Sequence, residues 1–395
     1  MKKILHISRM NFLSNKAHVY TTTKTCEALA MQEGLEVVLL STDDSLRNDV
    51  FKNDFFVKHS IKKRFGIVSL RSLSNKFKKN PWRVVNWLET ILVNFSISRY
   101  IISNHSSFDI LYYRDCSLFL PILISKYLYK KPIFLELHAV LHKRHGQWLN
   151  NFFAKISDGL IAITYGLKKY YETINSKIIV SFCAAAEPDK FEIITETKEQ
   201  LRVKLGLPLD KIILMYSGNL YKTGNYDSYG IEDIINALPY MDKRVVFYGI
   251  GKKGTETKSH EELIAKLGIE SRVTFLPWMD RAALYQYWKA SDILIHPAAG
   301  AKIGNSPTKI FEYLAAGKPI ISAKTEPIEE VLKDRYNALL VDDYNNPNQW
   351  VKAVKTIICD ESLTSILLEN ALSDSKKFTW LGRGQAISKF IFDNI

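Results

Sequence analysis

Asn305-Ser306-Pro307-Thr308-Lys309-Ile310-Phe311-Glu312-Tyr313-Leu314-Ala315-Ala316-Gly317-Lys318-Pro319 is the segment that decides the fold of this 395-residue chain. Asn305 or Ser306 offers a side-chain oxygen to cap a helix, and Pro307 suits the first helical position because its missing N–H would be unpaired anyway. Gly317 and Pro319 end the helix. An apolar strand ending in His296-Pro297 precedes it, and the loop between them carries Gly300 and Gly304. Open amides at the start of such a helix attract anions, phosphates above all. Glu312 stands about 10 Å further along the axis from Asn305, at a rise of ~1.5 Å per residue. From there its carboxylate can accept hydrogen bonds from sugar hydroxyls, or simply face solvent.

Working outward, short β-branched or apolar runs alternate with helical patterns. Expected strands lie at 211–217, 244–248, 273–276, 293–296, 319–322 and 338–341, with helices between them. The first half repeats the scheme, with strands at 3–8, 36–41, 110–113, 132–137, 159–163 and 177–182 and helices at 20–32, 118–129 and 166–174. This alternation predicts an α/β protein with two Rossmann-like parallel-sheet domains, joined near residues 190–200. Two such domains in tandem leave a cleft, and ligands bind at the carboxyl ends of parallel strands.

Composition narrows the class. Apolar residues are 47% and charged residues 24%, which excludes a disordered or collagen-like chain. Cys26, Cys116, Cys183 and Cys359 are scattered with no C-x-x-C pair, which argues against a disulfide scaffold or a cysteine-rich zinc site. The opening run Ile4–Ser8 is too short for a signal-peptide core and reads as a strand. The most membrane-like stretch, Val84–Ile102, is interrupted by Asn86, Glu89, Asn94 and Arg99. The net charge of +13 sits entirely in residues 1–190, since residues 191–395 balance. Within that half, Lys52–Arg83 holds ten basic residues and one acid, interleaved with Phe55, Phe56, Phe65, Phe77 and Trp82. A basic, aromatic-bearing stretch suits an anionic membrane surface, a nucleic acid or a polyphosphate, or is merely a solvated face. The membrane surface is the expectation adopted, with no nucleic acid.

The run from Ser306 to Pro319 resembles the donor-site helix of the retaining GT-B glycosyltransferases of the large glycogen-synthase-like family four. Other stretches are similar too: Tyr216-Ser217-Gly218-Asn219-Leu220, Val245–Gly251, Val273–Trp278, Tyr285–Ile293 and Glu136-Leu137-His138. Phe378-Thr379-Trp380 resembles the start of that family's C-terminal helix, which returns to the N-terminal domain. The resemblance implies an acceptor-side domain over 1–190, a nucleotide-sugar donor domain over 200–375 and a returning helix over 376–395. It departs at several places: Gly304 stands where the family has its first glutamate (Asn305 being a substitute), Asn219 and Tyr229 stand where it has diphosphate-binding cations, Pro277 replaces a glycine, and the N-domain glycine loop is absent.

What the resemblance implies is transfer of a sugar from a nucleotide-sugar donor to a glycan or lipid-linked acceptor hydroxyl, with retention, in surface polysaccharide biosynthesis. The catalytic demand is to stabilise charge on the departing diphosphate, which positioned cations and helix-end amides do. The expected catalytic residues are His138, Glu312 and Lys222. Donor binding falls to Gly218, Asn219, Gly251, Trp278, Asn305, Ser306, Pro307, Thr308, Lys309 and Glu312. No D-x-D or His/carboxylate cluster has ligand spacing, so neither metal nor other cofactor is expected. The expected location is cytoplasmic, peripheral on the inner face of the cell membrane. The rival readings are a sugar-nucleotide epimerase on the same fold and a non-catalytic anion- or nucleic-acid-binding protein.

Overall fold

The computed structural model describes residues 1–9, 17–43, 46, 48–70, 83–141, 144–220, 229–251, 257–297 and 308–395. The chain divides into two units, one of Met1–Cys183 with Trp380–Ile395, the other of Ala184–Thr379.

Unit 1 is built on β1 (Lys2–Ser8), β2 (Leu35–Ser41), β3 (Gly66–Ser69), β4 (Ile110–Tyr113), β5 (Ile133–Leu137), β6 (Gly159–Ala162) and β7 (Ile178–Val180), in the order β3-β2-β1-β4-β5-β6-β7. Every pairing is parallel. The central strands are buried on both faces, as helix-covered parallel strands must be. One face holds Leu5, Ile7, Leu111, Tyr113, Leu135 and Leu160; the other holds Ile4, Val37, Leu39, Tyr112, Phe134 and Ile161. The last helix, Trp380–Phe392, belongs to this unit and lies on helix Ala17–Ala30. The approach is close enough that a Cβ on Gly384 would fall 2.3 Å from the Ala28 carbonyl oxygen.

Unit 2 repeats the plan with β8 (Ile212–Ser217), β9 (Val245–Gly251), β10 (Val273–Pro277), β11 (Ile293–His296), β12 (Ile320–Ala323) and β13 (Leu339–Val341), ordered β10-β9-β8-β11-β12-β13 and again all parallel. In both units the strand order therefore reverses beside the first strand, between β1 and β4 and between β8 and β11. The carboxyl ends at such a switch point diverge and leave a crevice for ligands.

The expected α/β alternation is present, with additions. Sequence patterning did not anticipate β3 or the helices Asp49–Lys58, Arg83–Asn104 and Arg144–Ile156. The helix expected over 118–129 is instead Phe119–Leu123 followed by a wider turn over Ile124–Leu128, where the Ser125 hydroxyl donates back to the Pro121 carbonyl at 2.8 Å and competes with the helical amide. The aromatics of the basic stretch also behave differently from a membrane-facing set. Phe55, Phe56 and Phe65 are core residues of unit 1, with Phe56 and Phe65 packed edge-to-face at 5.3 Å. Positions 71–82, which hold Phe77 and Trp82, lie outside the described residues.

Candidate active site

The switch point of unit 2 gathers several of the expected donor residues. β8 ends in Ser217-Gly218 and β9 in Gly251, and the two ends nearly touch: the Gly218 amide donates to the Ile250 carbonyl at 2.7 Å. A Cβ on Gly251 would lie 1.5 Å from the Gly218 carbonyl oxygen, so only glycine fits there. The missing side chain at Gly218 also admits Lys309, whose Nζ would be 2.3 Å from a Cβ at that position. Lys309 Nζ stands 4.7 Å above the Tyr216 ring and 3.5 Å from its hydroxyl. Burial pulls its pKa down to about 8, and burial followed by the Lys309 charge pulls that of nearby His296 to about 3. Among the described residues no carboxylate is paired with Lys309. Asn219 donates through Nδ2 to the Tyr229 hydroxyl at 2.6 Å, and Trp278, just after β10, is exposed.

Helix Thr308–Ala315 is almost wholly buried, because Ile310, Phe311, Tyr313 and Leu314 pack into the unit. Tyr313 reaches back to accept the Ser217 amide at 3.2 Å, which ties the helix to the end of β8. Glu312 is buried as well and forms an ion pair with Arg281, at the start of helix Arg281–Ala290. Arg281 was not anticipated; Asp280, which caps that helix through the Ala283 amide, was the nearest signal. Thr308 opens the helix, whereas Asn305, Ser306 and Pro307, like Lys222, lie outside the described residues.

His138 is in unit 1, just beyond β5, and both of its ring nitrogens are engaged. Nε2 meets Glu136 Oε1 at 2.6 Å and Nδ1 meets Arg114 Nη2 at 3.2 Å. Burial, then the Arg114 guanidinium, lowers its pKa, so the ring is neutral at pH 7. A neutral ring between these partners carries its proton on Nε2, which donates to Glu136, while Nδ1 accepts from Arg114. Glu136 is the hub. Its Oε2 accepts from Arg383 at 2.6 Å and from the Tyr112 hydroxyl at 2.5 Å. Burial alone would raise the Glu136 pKa, but Arg383, then His138 and Arg114, overrides it and holds the carboxyl well below its usual range. Arg383 is itself locked by the Ser181 and Phe182 carbonyls. Sequence reading named His138 and passed over Arg114 and Arg383.

Among the described residues no group of three or more His, Cys, Asp or Glu side chains is placed to hold a metal ion. Among them, too, no helix is long and apolar enough to cross a membrane.

Residues 197–374 match the family of glycosyl transferases group 1. A D-inositol 3-phosphate glycosyltransferase from Xylanimonas cellulosilytica is 26% identical over 180 residues, 46% of this chain and 42% of that protein. The chain thus spans less than half the length of this curated relative. Among solved structures, Anabaena Alr3699/HepE in complex with UDP-glucose matches with a TM-score of 0.72 at 17% identity, over 100% of both chains. The lipopolysaccharide outer core galactosyltransferase WaaB matches with a TM-score of 0.68, also at 17% identity and 100% coverage of both. At this level of identity the likeness shows the fold, which is GT-B.

Proposed function

We propose, from the match of residues 197–374 to the glycosyl transferases group 1 family, that the chain moves a sugar from a nucleotide-sugar donor to a glycan or lipid-linked acceptor hydroxyl, with retention and without a metal, in surface polysaccharide biosynthesis. The observation that carries this reading is the cluster at the end of β8, where Lys309 is held against Gly218 while Glu312 lies one turn further along the same helix. In this reading the Lys309 ammonium, with the Gly218 and Gly251 backbone, faces the diphosphate, and Lys309 takes the place of the family cations that are missing at Asn219 and Tyr229. Negative charge grows on that diphosphate as the sugar leaves, and a cation already held in position stabilises it without reorganisation. Glu312, oriented by Arg281, accepts hydrogen bonds from ribose or hexose hydroxyls, and Trp278 offers its exposed ring to the base. Lys222 and Asn305–Thr308 complete the proposed donor site, and His138 of unit 1 is proposed as a catalytic residue. HepE was solved with UDP-glucose, which supports a nucleoside diphosphate sugar as donor; the name of WaaB supports a surface polysaccharide as product.

The test is slow donor hydrolysis by the full chain over a panel of nucleotide sugars. Glu312→Ala is expected to lower it by about tenfold or more, as the loss of a charged hydrogen bond implies. Hydrolysis absent for every donor, or untouched by the substitution, overturns the reading.

We also propose a cytoplasmic location with reversible docking on the inner face of the cell membrane, through the cations of residues 52–83. The adjoining helix Arg83–Asn104 supports this, since Trp87, Leu88, Phe95 and Ile102 are exposed along it. Each basic residue near an anionic leaflet contributes about 1 kcal/mol. Co-sedimentation with anionic vesicles that weakens in high salt is the expected result, and equal binding to neutral vesicles refutes it.

A further inference from the structure

The switch point of unit 1 opens on a cavity of about 520 Å³ between the ends of β1, β4 and β5. Two arginines stand on its wall, Arg9 immediately after β1 and Arg114 immediately after β4, together with Ser8, Ser117, His138 and Asn150. Arg114 donates to the Thr22 hydroxyl at 2.8 Å and to the neutral His138 ring. Arg9 donates to the hydroxyls of Thr90 and Ser117, both at 3.1 Å. Glu89 and Asp115, the latter also on the cavity wall, form long ion pairs with Arg9 at 3.9 and 4.0 Å, beyond hydrogen-bond reach. Glu136, on the same wall, has both oxygens committed elsewhere, one to Arg383 and Tyr112 and the other to His138. Among the described residues, then, neither guanidinium donates to a carboxylate. A guanidinium has five N–H donors, and each of these two spends its described bonds on neutral acceptors.

We propose that Arg9 and Arg114 together bind a phosphate ester carried by the acceptor; this rests on the glycosyltransferase reading and names the chemistry of its acceptor. Several features favour phosphate. Two guanidinium forks on one wall suit an oxyanion that presents three oxygens, and Arg binds phosphate and carboxylate in pairs of parallel hydrogen bonds. The Ser8 and Ser117 hydroxyls on the same wall add neutral donors. The excess of positive charge in residues 1–190 raises the local concentration of phosphorylated ligands over neutral ones. The volume is that of a site for a small molecule. His138, with its proton on Nε2, leaves Nδ1 to hold the Arg114 fork, so it positions the cation that meets the ligand.

Calorimetric titration of the full chain tests this with glucose 6-phosphate, glucose, glucuronate and short-chain phosphatidic acid. Glucose 6-phosphate or phosphatidic acid is expected to bind, glucose and glucuronate at least about tenfold more weakly. The two phosphorylated probes separate a soluble acceptor from a lipid headgroup. Arg114→Gln is expected to weaken the phosphorylated probe by about tenfold or more, with Arg114→Lys intermediate. Arg9→Gln provides a second reading if Arg114 variants fail to fold, and persistence of the binding in Lys309→Ala separates this site from the donor site. Binding equal for glucuronate and glucose 6-phosphate, or unchanged in both Arg9→Gln and Arg114→Gln, overturns the proposal. Donor hydrolysis by the unaltered protein is read separately, so loss of the phosphate site leaves the transferase reading standing, and loss of hydrolysis leaves the phosphate titration interpretable.

Discussion

The two sheets share one strand order, yet their switch points are furnished in opposite ways. In unit 1 the buried cation Arg383 meets the buried carboxylate Glu136, and the pair is closed in by Tyr112, His138 and two backbone carbonyls. In unit 2 the half-buried cation Lys309 meets the ring and hydroxyl of Tyr216 and the backbone at Gly218. The difference teaches what each end is prepared for. A charge compensated inside the fold acts as a scaffold, whereas in the reading proposed above a charge with no carboxylate partner among the described residues is completed by a ligand. A weaker form of the contrast recurs within unit 1: Arg383 donates to Glu136, whereas Arg9 and Arg114 donate to neutral acceptors and Arg9 has carboxylates only at 3.9 and 4.0 Å. The pKa shifts run the same way: Glu136 is held well below the usual carboxylate range by its neighbours, while Lys309 is pulled down to about 8 by burial.

The largest effect that would break this comparison is Arg383→Met, which keeps the apolar stem and strips the charge from Glu136. A buried ion pair that loses one partner costs about 3–5 kcal/mol, because the survivor is left uncompensated. The loss is read as denaturant unfolding at pH 7. The sign with pH follows from the direction of the Glu136 shift. Its folded pKa lies below the unfolded value, so its contribution is present above the ordinary carboxylate range and fades as pH falls through the folded value. In the variant, burial acts with the main opposing charge gone, and Glu136 takes up its proton at higher pH. The gap between the two proteins therefore narrows on acidification. Equal stability at every pH would show that Arg383 is no scaffold.

The contrast also marks what the residues alone could reveal. Local patterns were legible: the strand–glycine–helix punctuation around Gly218, Gly251 and Thr308–Ala315, and the βα alternation that made two sheets. They were legible because glycine conformations and apolar periodicity are decided within a few residues. The partners of the charged groups were not. Glu136 and Arg383 are 247 positions apart, and nothing local pairs them. Gly384, an odd residue for a helix interior, was a usable sign that this helix lies close against another backbone. Arg281 and Glu312 are nearer in sequence, but only the packing of two helices joins them. Phe55, Phe56 and Phe65 misled for the opposite reason: alternating cations and rings read as a surface, although period and charge alone do not say which face turns inward.

A smaller effect sharpens the comparison from the side of unit 2. Lys309 has a folded pKa of about 8 against an ordinary 10.5, so between those values the unfolded chain binds more protons and stability rises with pH. Below pH 8 the cost of burying the ammonium is felt in full. Lys309→Met removes that cost and keeps the stem over the Tyr216 ring, so the variant is expected to be more stable at pH 7 by about 1 kcal/mol. The advantage should shrink as pH rises towards 10.5, where the unaltered lysine is neutral in the fold. Affinity for a nucleoside diphosphate should move the other way and fall by about tenfold, since the ammonium is the charge the ligand would meet. Thermal melts from pH 7 to 10.5, paired with a nucleoside diphosphate titration at pH 7, read both quantities. A variant that gains stability while losing the ligand has the signature of a site strained for binding. A variant less stable at pH 7 would mean that the ring and hydroxyl of Tyr216 already compensate the charge, and Lys309 would then belong with Arg383 among the scaffold cations.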